Sequence, residues 1–123
     1  MLLAIDMPWI LEVARLAGAG DPAPDDFGVP MAAVARHQAA LLDQDVYPGP
    51  VARAAALAHT LGRLRWLEKA NMTVAVAVTV AYLHAAGRVV KPAQEDVTAL
   101  VDELRDDACT AARVAALLRA WPT

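Results

Sequence analysis

The sequence predicts an all-α single domain, and three observations carry that reading. Apolar residues recur at helical spacing along several segments, capping or breaking residues bound those segments, and the longest apolar run ends at a glycine. The chain has 123 residues, 58% of them hydrophobic and 20% charged, with a formal net charge of −3. That length suits one domain over residues 1–123, able to bury about two-thirds of the surface that its unfolded chain exposes.

Asp6 is placed to cap a first helix, Pro8 is acceptable in its first turn, and Trp9, Val13 and Leu16 share a face. GAGDPAPDDFG, residues 18–28, breaks that helix with glycines and prolines and reads as a loop. Pro30 opens a short second helix, PMAAVARHQAA, and LLDQDVYPGP follows with turn chemistry at Pro48, Gly49 and Pro50. Pro50 starts a third helix in which Ala54, Leu57, Leu61 and Leu64 recur at helical spacing, with His59 and Arg63 one turn apart on the other side.

An irregular segment, Arg65 to Ala70, leads into the apolar run Val74 to Leu83, interrupted only by Thr79. Val74, Val76, Val78 and Val80 alternate as in a strand, but Ala75, Ala77 and Thr79 lie between them, so the alternation is not apolar against polar. The length of the segment and the stop at Gly87 favour a helix over residues 71–86, apolar all round and therefore buried and central. Val97, Leu100, Val101 and Leu104 mark a fifth helix; Val114, Leu117, Leu118 and Trp121 mark a sixth, with Thr110 as its N-cap. RVVKPAQ, residues 88–94, reads as an extended connector.

Several function classes are excluded by composition. No run of like charges marks a nucleic-acid or polybasic membrane surface, and the apolar run falls short of the roughly 20 residues that a membrane-spanning helix needs. The N-terminal MLLAIDMPWI lacks a basic n-region and meets Asp6 and Pro8 early, so it does not read as a signal peptide. Cys109 is the single cysteine and forms no internal disulfide, which fits a reducing, cytoplasmic setting. Its neighbours Ala108 and Thr110 do not activate it, so it reads as a small semi-buried residue.

The segments DFGVPMAAVARHQ (26–38), VYPGPVARAAALAHTLGRL (46–64), RWLEKANMTVA (65–75) and YLHAAGRVV (82–90) follow one another in an order and spacing that resemble the Doc branch of the Fic family. The resemblance covers nearly the whole chain. It implies a helical Fic/Doc-type domain with a buried central helix and a short β-hairpin flap after His37. In that family the motif H-P-F-x-D-G-N-K-R-T-A leads into the N-terminus of the central helix. Backbone N–H groups and the helix dipole there make an anion site. The motif Lys and Arg hold phosphates, the acidic residue holds Mg²⁺, and the His takes the proton from the acceptor hydroxyl. Fic relatives transfer a nucleotide monophosphate to protein hydroxyls. Doc relatives transfer the γ-phosphate, typically to elongation factor Tu, and are neutralised by a small Phd-like antitoxin.

This chain departs from the motif at nearly every functional position. Asn71 matches the motif Asn, but Arg65 stands for the His, Leu67 for the Phe, Lys69 for the acidic residue, Ala70 for the Gly, and Met72 and Thr73 for the Lys and Arg. Base, metal ligand and phosphate cations are replaced together, so no catalytic residue, metal or cofactor is expected. His37, His59 and His84 read as structural or solvated, Glu68 as half of a surface ion pair, and Trp66 as either core or an exposed anchor. What remains is a vestigial anion-binding set at the start of the central helix: Arg65, Lys69, Asn71 and Thr73, with Asn71 also placed to cap that helix. The expectation is a Doc-like chain of toxin–antitoxin type that works through a Phd-like antitoxin or another protein partner, with at most weak phosphate or nucleotide binding. The competing reading is a repurposed enzyme that uses the same cleft on a nucleotide or another anionic substrate, and a third is an unrelated helical subunit.

Overall fold

The computed structural model describes residues 2–123 as six helices and one small hairpin. In chain order these are α1 (Met7–Ala17), α2 (Gly28–His37), β1 (Ala40–Leu41), β2 (Gln44–Asp45), α3 (Pro50–Arg63), α4 (Asn71–Ala85), α5 (Gln94–Arg105) and α6 (Ala111–Arg119). The helical expectation holds, and the short hairpin expected after His37 is present as two antiparallel strands pairing Ala40 with Asp45 and Leu41 with Gln44. Among the described residues no helix is long and apolar enough to cross a membrane.

The two helices with a side-chain cap begin where the sequence placed one. The Asp6 carboxylate accepts Trp9 N–H at 3.0 Å, and the Thr110 hydroxyl accepts Arg113 N–H at 3.1 Å. At α5 the bond runs the other way, the Asp96 carboxylate accepting Ala93 N–H at 2.8 Å. α2 starts earlier than Pro30 because Asp26 accepts Gly28 N–H at 2.9 Å and so opens the turn there. In α1 the buried face is Ile10 and Ala14; Leu16, grouped with Trp9 and Val13 in the sequence reading, is 71% exposed.

The valine-rich run is helical, but it is not the enclosed centre of the fold. α4 buries Val74, Ala75, Val78, Thr79, Tyr82 and Leu83, while Met72, Val76, Ala77, Val80 and Ala81 remain half-buried. α3 is the enclosed helix: Arg53 to Ala58 are buried without a break, and α2, α4, α5 and α6 all pack against it. Small side chains explain the difference. The alanines of α3 let neighbours approach on every side, and a chain this short has too few helices to cover α4 as well.

The N-terminal strap is held by buried polar groups from three helices. The Leu3 carbonyl accepts both Arg53 Nη1 at 2.9 Å and the Tyr82 hydroxyl at 2.6 Å. Ile5 N–H donates to His37 Nε2 at 3.1 Å, and His37 Nδ1 lies 2.5 Å from the Val34 carbonyl. A carbonyl only accepts, so Nδ1 carries the proton and the buried imidazole is neutral. Burial lowers the His37 pKa, and the nearby Arg53 cation adds to this against the Val34 hydrogen bond. Burial also lowers the pKa of His59, which sits on α3 against Arg36 of α2 and the Cys109 carbonyl.

A histidine with a depressed folded-state pKa binds fewer protons folded than unfolded. Its stabilising contribution is complete above the unfolded value of about 6.5 and shrinks as pH falls below it. The unfolding free energy read from urea titration should therefore fall between pH 7 and pH 5, by at most about 1.4 kcal/mol per pH unit for each histidine, and the midpoint should fall with it. His37→Gln, which keeps an acceptor for Ile5 N–H, should flatten that dependence. A midpoint that does not change with pH would refute the assignment of neutral, buried imidazoles.

Candidate functional site

The segment between α3 and α4 is fastened along its length. Trp66 is fully buried, which settles it as core; its carbonyl accepts Asp25 N–H at 2.6 Å and Asp26 N–H at 3.3 Å. Leu67 bridges to Pro24 in antiparallel fashion, and Glu68 N–H donates to the Ala23 carbonyl at 3.0 Å. The Glu68 carboxylate accepts Ala23 N–H at 3.1 Å, so Glu68 closes a loop where a surface ion pair was expected. The chain then turns through Ala70, held at φ 58° in the left-handed region.

Asn71 does not cap α4. Ala70 is the N-cap residue and offers no side-chain acceptor, while Asn71 is the first residue inside the helix. Its Oδ1 accepts Trp66 N–H at 3.1 Å, and its Nδ2 donates to the Leu61 carbonyl at 3.0 Å. One amide thus joins the end of α3, the loop and the start of α4. Neither backbone partner has a helical bond available, so the side chain supplies what the turn removed.

The four residues singled out from the sequence do not converge. The Arg65 guanidinium points to Asp25, 2.9 Å away, and also reaches the Leu67 carbonyl at 3.1 Å. Both partners of that ion pair are well exposed, at 69% and 48% of their side-chain surface. Lys69 is exposed and its ammonium lies over Gly20, where an added Cβ would come within 2.6 Å of Nζ. The Asn71 amide is committed to the loop, and Thr73 is exposed on the first turn of α4. Thr73 edges a cleft of about 290 Å³ between α4 and α5, beside Met72, Val76, Val97 and Arg105. A further cleft, of about 450 Å³, lies between α1 and the following loop, with Leu11, Pro24, Phe27 and Leu67 among its walls.

Each histidine is engaged with the protein. His37 holds the strap, and the exposed His84 has Nε2 3.0 Å from the Val90 carbonyl. His59 Nε2 lies 3.3 Å from the Cys109 carbonyl, and its Nδ1 lies 2.7 Å from Arg36 Nη1. The guanidinium can only donate, so His59 accepts at Nδ1 and carries its proton on Nε2. Burial, helped by the Glu103 carboxylate, pushes the Cys109 thiol up to about 11, which leaves it unreactive at neutral pH. Among the described residues no group of three or more His, Cys, Asp or Glu side chains is placed to hold a metal ion.

The sequence reading missed one polar cluster. Arg36 donates through Nε to the Tyr47 hydroxyl at 2.7 Å and through Nη1 to Thr60 Oγ1 at 3.2 Å, besides its bond to His59. These residues come from α2, the hairpin exit and α3, and no spacing in the sequence relates them. Compared with known proteins, the chain matches no family model, no curated protein and no solved structure.

Two outcomes follow from this geometry. Asn71→Ala leaves a buried N–H and a carbonyl without partners and should cost about 2–4 kcal/mol, whereas Arg65→Ala removes an exposed pair and should cost under about 1 kcal/mol. Urea unfolding of both variants measures the difference, and equal costs would refute the clamp. Phosphate, ADP and ATP, titrated by calorimetry, should bind no more tightly than about millimolar, near 4 kcal/mol. Micromolar ATP binding that disappears in Arg65→Ala and Lys69→Ala would instead establish a working nucleotide site.

Proposed function

We propose that the protein is a Doc-like chain of toxin–antitoxin type that acts by binding another protein and does not transfer phosphate or nucleotide. The observation that carries this reading is the use made of the loop between α3 and α4. Arg65 pairs with Asp25, Glu68 with Ala23, and Asn71 with Leu61 and Trp66, so three of the polar side chains where the family resemblance puts its chemistry hold the loop in place, while Lys69 is exposed. Phosphoryl transfer needs a base, a cation clamp and a metal ligand around the transferring group. The residues at those positions of this chain are Arg65, Met72, Thr73 and Lys69.

The hairpin offers the contrasting surface. Leu41 is 68% exposed and Leu42 is 89% exposed, and the latter sits at φ 52° beside Asp43 at φ 63°. A bulky residue in the left-handed region at a tight turn is strained, and strain of this kind collects at sites that bind or switch. Exposed apolar side chains on a short two-stranded edge suit a protein partner, the Phd-like antitoxin being the one the resemblance implies.

The test has two arms. Incubation with elongation factor Tu and Mg-ATP labelled at the α or γ phosphate should give no transfer above background. Co-expression with the product of a small antitoxin-like reading frame beside the gene should give a complex that Leu41→Ser with Leu42→Ser weakens at least tenfold. Label transfer abolished by substitutions in residues 65–73 would overturn the reading and favour a repurposed enzyme.

A further inference from the structure

We infer that a cleft between the hairpin exit and α6 receives an acidic, partly apolar peptide segment of the protein partner. This inference rests on the protein-binding reading above and assigns the chemistry of the partner. The cleft holds about 280 Å³, and its walls include Val46, Ala52, Ala112 and Ala115. Its two polar side chains are Tyr47 and Arg119, and no lining residue carries a carboxylate.

Among the described residues, neither the Tyr47 hydroxyl proton nor the Arg119 guanidinium has an acceptor. The Tyr47 oxygen already accepts Arg36 Nε at 2.7 Å, so what the hydroxyl has left to offer is its own proton, and among the described residues nothing takes it. Hydrogen bonding to a cation polarises that O–H and strengthens it as a donor. Arg36 brings no compensating anion with it. Its protein acceptors are Tyr47, His59 and Thr60, all neutral, although the guanidinium is half-buried and fixed. Half-buried charges are ordinarily paired. Arg119 is exposed at the rim of the cleft and, like Arg36, Arg63, Arg88 and Arg105, has no carboxylate within ion-pair distance among the described residues, so its charge is free to meet an incoming anion.

A cleft with apolar walls, two donors and uncompensated positive charge is complementary to a carboxylate carried next to an aliphatic group. Val46 joins this cleft to the exposed hairpin, being 47% exposed on one and a wall of the other. A partner lying on Leu41 and Leu42 would therefore continue into the cleft as an extended segment. Its acidic side chain would accept from Tyr47 and Arg119 while the adjacent aliphatic side chain rests on the alanines.

The probe is the peptide acetyl-Glu-Leu-Glu-Leu-Glu-amide, titrated into the full ¹⁵N-labelled chain, with the lysine counterpart and inorganic phosphate as comparisons. The acidic peptide should shift the amides of Tyr47, Ala112, Ala115 and Arg119 with one saturating curve. Tyr47→Phe and Arg119→Gln should each weaken it at least threefold, and Ala112→Asp should abolish it. Ala112 is exposed in the first turn of α6, where an acidic residue favours the helix, so that variant keeps its fold. Shifts elsewhere, equal binding of the lysine peptide, equal binding of phosphate, or binding that survives Ala112→Asp would each overturn the inference. A partner complex weakened by the Leu41 and Leu42 substitutions but not by Ala112→Asp would refute the cleft alone. Peptide binding at the cleft with no partner complex would refute the protein-binding reading alone.

Discussion

Close approach to α3 is the constraint from which the other packing follows. Ala54, Ala55, Ala56 and Ala58 surround Leu57 on this helix, and all are fully buried. Alanine loses no side-chain entropy in a helix and keeps neighbouring axes near, so α2, α4, α5 and α6 can share one buried surface. Gly62 extends the same logic one turn further. A Cβ there would stand 2.8 Å from Leu104 Cδ1, so the absence of a side chain lets α5 close against the end of α3. The Arg63 guanidinium then donates to the Leu104 and Asp106 carbonyls at 2.9 and 2.6 Å, satisfying the C-terminal end of α5.

A core lined with alanine presents little surface per residue, and directional polar ties supplement it. Three helices hold the N-terminal strap through His37, Arg53 and Tyr82, and Arg53 Nη2 lies 3.5 Å from Asp45 of the hairpin. One buried guanidinium therefore links strap and hairpin. Asn71 performs the same office at the other end of α3, where the chain reverses into α4. Each tie fixes a segment that has no helical hydrogen bonds of its own.

This distribution of polar groups separates two surfaces. The loop before α4 closes on the α1–α2 loop, where Glu68 and Arg65 pair at short range with the Ala23 backbone and Asp25. Around the hairpin the balance is reversed: Leu41, Leu42 and Val46 are exposed, the Tyr47 hydroxyl proton and the Arg119 guanidinium have no acceptor among the described residues, and Arg36 donates only to neutral groups. A loop whose Arg65, Glu68 and Asn71 are spent on internal bonds has less left for a ligand, whereas unpaired donors beside exposed apolar groups lower their free energy when a complementary surface arrives.

The sequence by itself determined the helices, because period and caps are local. Asp6 and Thr110 cap where they were placed, and the run from Val74 to Leu83 is helical despite its alternating valines, since a helix of that length satisfies all but its terminal backbone groups internally. Which helix is enclosed was decided by tertiary structure. Hydropathy pointed to α4, but enclosure depends on how many neighbours can come close, and small side chains gave that place to α3. The candidate site divided in the same way. The sequence assembled Arg65, Lys69, Asn71 and Thr73 by their nearness along the chain, and the fold sent them to Asp25, Gly20, Leu61 and solvent. Tyr47 and Arg119 lie far apart along the chain and line one cleft only through packing, because neighbours in a fold are chosen by distance in space.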